Sequence, residues 1–250
     1  MRKVYRIGKE KVVALDNINI EIKKGEICCI LGTSGSGKST LLNMLAGLEK
    51  PTRGDIIINN SKVNKLSEKR LAVFRQKYIG FIFQSYNLIQ TLTAEENVSL
   101  PLVFRRMRKK KRMEESKQML KLVGLGDRLR HKPTQMSGGQ QQRVGIARAF
   151  VARPAVVFAD EPTGNLDSRT TIEVMLLMLK IAKDNNQTLI IVTHDTEIAA
   201  YADRVIQLKD GAIIADYAPE RPPENSENNS QNNGKSEKNE EAELAHEEIK

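Results

Sequence analysis

The chain has 250 residues, of which 40% are hydrophobic, and carries a formal net charge of +9. That length and apolar content suffice for a packed core. No apolar run approaches the roughly 18–20 residues of a bilayer-spanning helix, and the opening stretch MRKVYRIGKEKVVAL lacks the apolar centre of a signal peptide, so the composition excludes a membrane-spanning helix and predicts a cytosolic chain.

Charge is unevenly spread. From Pro219 to Lys250 four basic residues stand against nine glutamates, a balance of −5, which leaves +14 on residues 1–218. A basic body suits nucleoside phosphates, an anionic membrane surface or nucleic acid, without choosing among them. The 219–250 segment is rich in Pro, Asn, Ser and Glu and is expected to be a disordered tail, because it has too little apolar surface to offset its ordering entropy.

In chain order, Leu15, Ile18, Ile20 and Ile22 alternate with polar neighbours, and GDIIIN at 54–59 is a short β-rich run. Both predict strands of a small antiparallel layer. EICCILG predicts a buried strand holding the adjacent Cys28 and Cys29, whose spacing suits neither a metal site nor a disulfide. It leads into a glycine-rich loop and then STLLNMLAGL, which has helical spacing. Residues 94–131 show few strand signals and predict a helical insertion, within a helical subdomain of about 86–152. AVVFADEP and TLIIVTHD predict two buried parallel strands, and RVIQLKDGAIIADY predicts a hairpin turning at Asp210-Gly211. Strands alternating with helices make the body an α/β fold with a sheet covered on both faces.

The loop GTSGSGKST, residues 32–40, matches G-x-x-x-x-G-K-[ST] between a strand and a helix. Gly32, Thr33, Ser34, Gly35, Ser36 and Gly37 let backbone N–H groups converge on phosphate oxygens. Lys38 reaches the terminal phosphates, Ser39 can ligate Mg²⁺, and Thr40 continues the helix amino terminus. In VVFADEP, Asp160 is placed to hold the metal's water shell. Glu161 follows it as a candidate to orient or deprotonate an attacking water, with a surface or helix-capping glutamate as the alternative. His194, in IIVTHD at the end of a strand, is a candidate contact for the γ-phosphate, against an ordinary hydrogen-bonded histidine. Gln84, after the apolar run GFIF, is a candidate for Mg²⁺ or the attacking water, although a single glutamine after a strand carries little information alone.

A second glycine pair lies in MSGGQQQR, residues 136–143, ahead of another helical run. Ser137, Gly138, Gly139 and Gln140 repeat the features of an anion site, yet the chain already has a complete phosphate loop. The economical reading is that this half-site serves a nucleotide held by another copy, with two copies packed head to tail.

Taken together, GTSGSGKST, Gln84, SGGQQQR, FADEPTGNLD and His194 resemble the nucleotide-binding subunit of ATP-binding cassette transporters, across essentially all of residues 1–218. GFIFQSYNL, LTAEENV and SGGQQQRVGIARA further resemble the lipoprotein-release and macrolide-efflux branch. The resemblance implies a P-loop NTPase fold of the cassette type, with a mixed, mainly parallel sheet, an antiparallel β layer and a helical subdomain. It implies ATP and Mg²⁺ as ligands, with Tyr5 stacked on adenine, Ser39, Gln84 and Asp160 around the metal, and Glu161 as the catalytic carboxylate. His194 would be the γ-phosphate switch, Asp167 part of a loop communicating across the dimer, and Ser137–Gln140 the clamp on the partner's ATP. Met136 stands where the family usually has leucine, a change of similar volume.

The resemblance also implies partners: a second copy of the chain and transmembrane permease subunits, at the cytoplasmic face of the membrane, with no nucleic acid. Tyr86, Leu88, Ile89 and Leu92 are candidates for a groove receiving a cytoplasmic helix of the permease, with packing of the helical insertion as the alternative for each. The run RRMRKKKR, residues 105–112, has seven basic side chains in eight positions and is either a solvated face or a contact with anionic lipid headgroups or with the partner. Two rival functions are a soluble cassette protein acting on ribosomes or nucleic acid, and a nucleotide-gated binding module without turnover. A single uninterrupted motif set opposes the first rival, and Glu161 with His194 opposes the second.

Overall fold

The computed structural model describes residues 1–8 and 10–220. Of the 219–250 segment expected to be disordered, residues 221–250 lie outside the described residues.

The chain opens with a hairpin of β1 (Lys3–Ile7) and β2 (Glu10–Leu15), then runs through β3 (Ile27–Leu31) and α1 (Lys38–Leu45). A two-residue ladder of β4 (Ile57–Ile58) and β5 (Ser61–Lys62) precedes α2 (Glu68–Tyr78) and β6 (Ile79–Phe83). Three helices follow, α3 (Ala94–Phe104), α4 (Lys109–Leu122) and α5 (Gly138–Phe150). β7 (Val156–Asp160), α6 (Ser168–Asp184), β8 (Thr188–Thr193), α7 (Thr196–Ala199), β9 (Arg204–Lys209) and β10 (Ala212–Tyr217) complete the order.

Six strands form one sheet in the order β10-β9-β3-β8-β7-β6, parallel throughout except for the antiparallel β9–β10 pair. Every residue of β3 and of β8 is buried, as expected of strands covered on both faces. Successive side chains leave opposite faces of a strand. Accordingly Ile27, Cys29 and Leu31 join Val157, Ala159, Leu189 and Ile191 in one core, packed with residues of α3, α5 and α6. Ile30, Phe158, Ile190 and Val192 enter the other core, with Leu41, Leu42 and Met44 of α1 and Leu71 and Phe74 of α2. The Cys28 and Cys29 thiols are both fully buried. Burial pushes Cys28 up to about 12 and raises Cys29 as well, so neither ionises near neutrality.

The β9–β10 hairpin turns at Asp210 and Gly211, with φ of 47° and 76°, the positive values that a tight two-residue turn of the right hand requires.

The expected antiparallel layer is present as the β1–β2 and β4–β5 pairs, but over other residues than the sequence suggested. Only Leu15 of the alternating set lies in a strand. Asn17, at φ 48°, breaks the extended run, and residues 16–23 join no ladder. Ile18 is nonetheless 2% exposed and its N–H donates to the Met1 carbonyl at 2.9 Å, while Ile20 and Ile22 pack on the second core. Alternation reported one-sided burial correctly, but burial does not require a partner strand. At 54–59 only Ile57 and Ile58 are paired.

In the helical region Thr93 caps α3, its hydroxyl accepting from the Glu96 N–H while the Glu96 carboxylate accepts from the Thr93 N–H. Arg105, first of the basic run, is half-buried. Its guanidinium donates to the carbonyls of Gln76 at 2.8 Å, Lys77 at 2.6 Å and Ala152, tying the end of α3 to the last turn of α2 and to the segment after α5. Arg106 and Arg108 to Lys111 are exposed.

Candidate functional site

The phosphate-type loop lies between β3 and α1. Gly37 is the helix N-cap with φ 100°, and no side chain caps the helix, so the first-turn N–H groups have no intrahelical acceptor. Gly32 is required by crowding: a Cβ there would lie 2.4 Å from the Leu208 carbonyl oxygen. Gly35 has open space around it but φ of 79°, which favours glycine. Lys38 is 8% exposed and its ammonium donates to the carbonyls of Gly32 at 2.7 Å and Thr33 at 2.9 Å, folded back over the loop. The buried Ser36 hydroxyl has no hydrogen-bond partner in the described residues. The loop opens on a cleft of about 930 Å³ lined by Thr33–Gly35 and Gly37–Thr40, and also by Gln84, Glu161 and His194.

Strand ends converge on that cleft because β6, β7 and β8 are parallel neighbours. Asp160 ends β7 and is half-buried. Burial raises its carboxyl above the ordinary value, the adjacent Glu161 charge adds to this, and Lys38 opposes it. Asp160 is not among the residues lining the cleft, but a half-buried carboxyl beside the second carboxyl of Glu161 suits a divalent cation, and Ser39 and Gln84, which line the cleft, are further oxygen donors. Glu161 sits at φ 43°, and its N–H donates to the Val192 carbonyl at 2.9 Å. One carboxylate oxygen accepts from the Thr193 hydroxyl at 3.2 Å and the other lies 2.9 Å from His194 Nδ1. The Glu161 side chain is 18% exposed, His194 68%. Gln84 lies against the loop after β7: its carbonyl accepts from Asn165 at 3.0 Å, and a Cβ on Gly164 would meet its amide nitrogen at 2.8 Å.

Tyr5, on β1, does not line this cleft. Its hydroxyl donates to Glu49 at 2.6 Å, its ring lies 4.9 Å from the Lys3 ammonium, and burial followed by the Glu49 carboxylate raises its phenol above the usual value. Its ladder partner Val12 lines the cleft instead, with Val13 and Ala14.

The second glycine pair occupies a different cleft, of about 320 Å³, lined by Ser137–Gln140 with Arg143, Asp167 and Thr170 among others. Ser137 caps α5 in a reciprocal pair. Its hydroxyl accepts from the Gln140 N–H at 3.3 Å, and the Gln140 side chain accepts from the Ser137 N–H at 3.1 Å. A Cβ on Gly138 would lie 2.8 Å from the Tyr86 hydroxyl, and one on Gly139 would lie 2.6 Å from Thr170 Cγ2. Asp167 caps α6, accepting from the Thr170 N–H at 3.0 Å, and this backbone bond holds its carboxyl below the ordinary range. Met136 is 8% exposed in the first core.

The structure thus brings together the 32–40 loop, Gln84, Glu161 and His194, and places Ser137–Gln140 with Asp167 apart from them; the two sets of lining residues have no member in common. Among wall residues not singled out by the sequence, Val12–Ala14 of the first cleft carry no chemical signal, whereas Asn165 of the second lies inside the quoted GNLD motif.

Residues 15–164 match the family model described as ABC transporter. The chain belongs to the ABC transporter family. It is an ABC ATPase cassette, with the P-loop NTPase fold anticipated from the sequence. An uncharacterized ABC transporter ATP-binding protein of Methanocaldococcus jannaschii is 50% identical over 212 residues, covering 85% of this chain and 94% of that protein. The macrolide export ATP-binding/permease protein MacB of Vibrio parahaemolyticus is 50% identical over 209 residues, which cover 84% of this cassette but only 32% of MacB. An ATP-binding cassette solved as a dimer in a post-hydrolysis state bound to ADP and Pi superposes with a TM-score of 0.80 at 44% identity, over 87% of this chain and 95% of that one.

Proposed function

We propose that two copies of this cassette close head to tail over two ATP molecules, the Gly32–Thr40 loop of one copy and the Ser137–Gln140 turn of the other gripping each nucleotide. The observation that carries this reading is that the two half-sites line separate clefts in a single chain. The dimeric state of the solved relative supports it. Light scattering on Glu161→Gln protein is the test. Its mass is expected to double with Mg-ATP, and an unchanged mass at saturating nucleotide overturns the sandwich.

Within the site, the first-turn N–H groups of α1 and Lys38 hold phosphate oxygens. Tyr5 is proposed for the adenine, which requires its ring face rather than its hydroxyl, so the Glu49 bond is compatible with that role. Ser39, Gln84 and Asp160 would hold Mg²⁺, which when bound neutralises charge on the phosphates. Glu161, fixed by Thr193 and His194, accepts the proton of the attacking water. His194 is exposed enough to turn toward a terminal phosphate, and Asp167 lies in the cleft presented to the partner.

Asp160 gives this arrangement a pH signature. Its carboxyl is harder to ionise folded than unfolded, so the penalty is absent below the unfolded value of about 3.9 and complete once the pH exceeds the folded value. In nucleotide-free protein, Asp160→Asn should therefore raise the melting temperature at pH 7 by up to about 4 °C, since solvent screening at a half-buried site keeps the effect small. Calorimetry should show that gain vanish toward pH 4, and an Asn variant less stable than wild type at pH 7 would contradict a carboxyl held up by burial.

The cassette's partner is proposed to be a transmembrane permease subunit, reached from the cytoplasmic face. No helix among the described residues is long and apolar enough to cross a membrane. Resemblance to MacB, named for macrolide export and for its permease, supports outward work. Of the groove candidates, Leu88 is 8% exposed in the first core and is withdrawn from the surface. Ile89 at 46% remains exposed, and Tyr86 and Leu92 are half-buried. The boundaries proposed are a cassette of 1–218 with its helical part at about 86–152, and a separate tail.

A further inference from the structure

We infer that a cleft at the opposite edge of the sheet binds a monomeric anionic amphiphile, with one alkyl chain, an amide or hydroxyl hydrogen and a carboxylate head. The parallel strands end at the nucleotide cleft, and their beginnings line this second space: Tyr78 just ahead of β6, Val156 opening β7 and Thr188 opening β8. Its volume of about 810 Å³ lies within the range of small-molecule sites.

Its walls combine two chemistries. Ile20, Ile22, Leu45, Ile58 and Phe158 make an apolar floor, and Ile57, 62% exposed, stands at the side. Around them lie four cations, Lys24, Lys77, Arg105 and Arg153, and no carboxylate lines the cleft. Among the described residues none of the four forms an ion pair. Lys77 lies 5.0 Å from the Tyr78 ring centroid, and Arg105 meets only backbone carbonyls. Cations left without counter-charge beside apolar surface attract an anion whose remainder is apolar. Burial lowers the Arg105 pKa, a sign that this guanidinium lacks the compensation a carboxylate provides.

A third observation selects the middle of the ligand. Gln187 lines the cleft and is 5% exposed; its amide nitrogen donates to the Pro154 carbonyl at 2.7 Å, while its oxygen, shielded from solvent as the side chain stands, has no partner and meets a ligand donor once the side chain turns. An orphaned buried acceptor is costly and is met by an N–H or O–H donor. An alkyl chain on the floor, a donor to Gln187 and a carboxylate at the rim satisfy all three features. None of these residues belongs to the nucleotide machinery, so this inference stands whether or not the sandwich does.

N-decanoylglycine is the probe, titrated calorimetrically against the full chain below the concentration at which it self-associates. One site per chain is expected. Lys24→Glu combined with Arg153→Glu, both exposed positions, should weaken binding about tenfold or more, and the methyl ester of the probe should bind wild type similarly weakly. Circular dichroism and the melting temperature of the double variant verify its fold, and Lys24→Gln with Arg153→Gln should give an intermediate loss. Equal binding by wild type and both double variants, or by acid and ester, overturns the proposal. So does binding to anionic vesicles without any to the monomeric probe, which would make the surface a bilayer contact.

Discussion

Glu161→Gln is expected to lower ATP turnover by about 10²–10⁴-fold, the usual contribution of a positioned general base, while nucleotide affinity is kept. Its carboxylate is mostly shielded from solvent, held on one side by the Thr193 hydroxyl and on the other by His194 Nδ1, on a backbone at φ 43°. Glutamine preserves the shape and can still bond to Thr193, but its neutral amide takes a proton far less readily. Steady-state hydrolysis and equilibrium binding of a fluorescent ATP analogue separate the two effects. A variant that hydrolyses at the wild-type rate removes Glu161 from the chemistry, and one that loses affinity as well assigns it to binding.

The second large effect concerns which polypeptide holds what. Ser137→Asp keeps the helix cap, because aspartate accepts the N-cap bond as well as serine does. It also places a negative charge where the partner's phosphate would lie. In the Glu161→Gln background it should abolish the ATP-dependent dimer, yet leave single-chain affinity within about twofold, as for a surface change remote from the ligand. Lys38→Ala should instead weaken single-chain binding about 10–100-fold through loss of a charged hydrogen bond. If Ser137→Asp weakens the isolated chain as much as Lys38→Ala does, one polypeptide encloses the whole nucleotide and the proposed assembly is wrong.

Much of this site was legible in residue order because its parts are local. The Gly32–Lys38 spacing, a carboxylate closing an apolar strand and the Asp210-Gly211 turn each state their geometry within ten residues. Pairings between distant strands were not legible. Glu161 meets His194 only because β7 and β8 are neighbours, and Val12–Ala14 reach the cleft only because the first hairpin folds over it. The stretch from Leu15 to Ile22 misled because alternation measures one-sided burial, which an unpaired segment achieves as well. Leu88 was left open between groove and packing for a related reason: an apolar residue in a connecting segment has no periodicity to show whether it faces inward, and the structure buries it. Ser137 was read only as part of an anion half-site; that its hydroxyl also caps α5 within its own chain is shown by the structure, although the S-x-x-Q spacing carries that signal.

The contact between Tyr86 and Gly138 bears on how the paired pockets keep time. Tyr86 follows Gln84 by two positions, and its hydroxyl fills the space that a side chain on Gly138 would need. In the proposed assembly, the glutamine that senses a copy's own triphosphate and the glycine that covers its neighbour's are joined by a tether one aromatic ring long. Emptying one pocket would then disturb the roof of the other, and the two hydrolytic events are expected to be coupled rather than independent clocks.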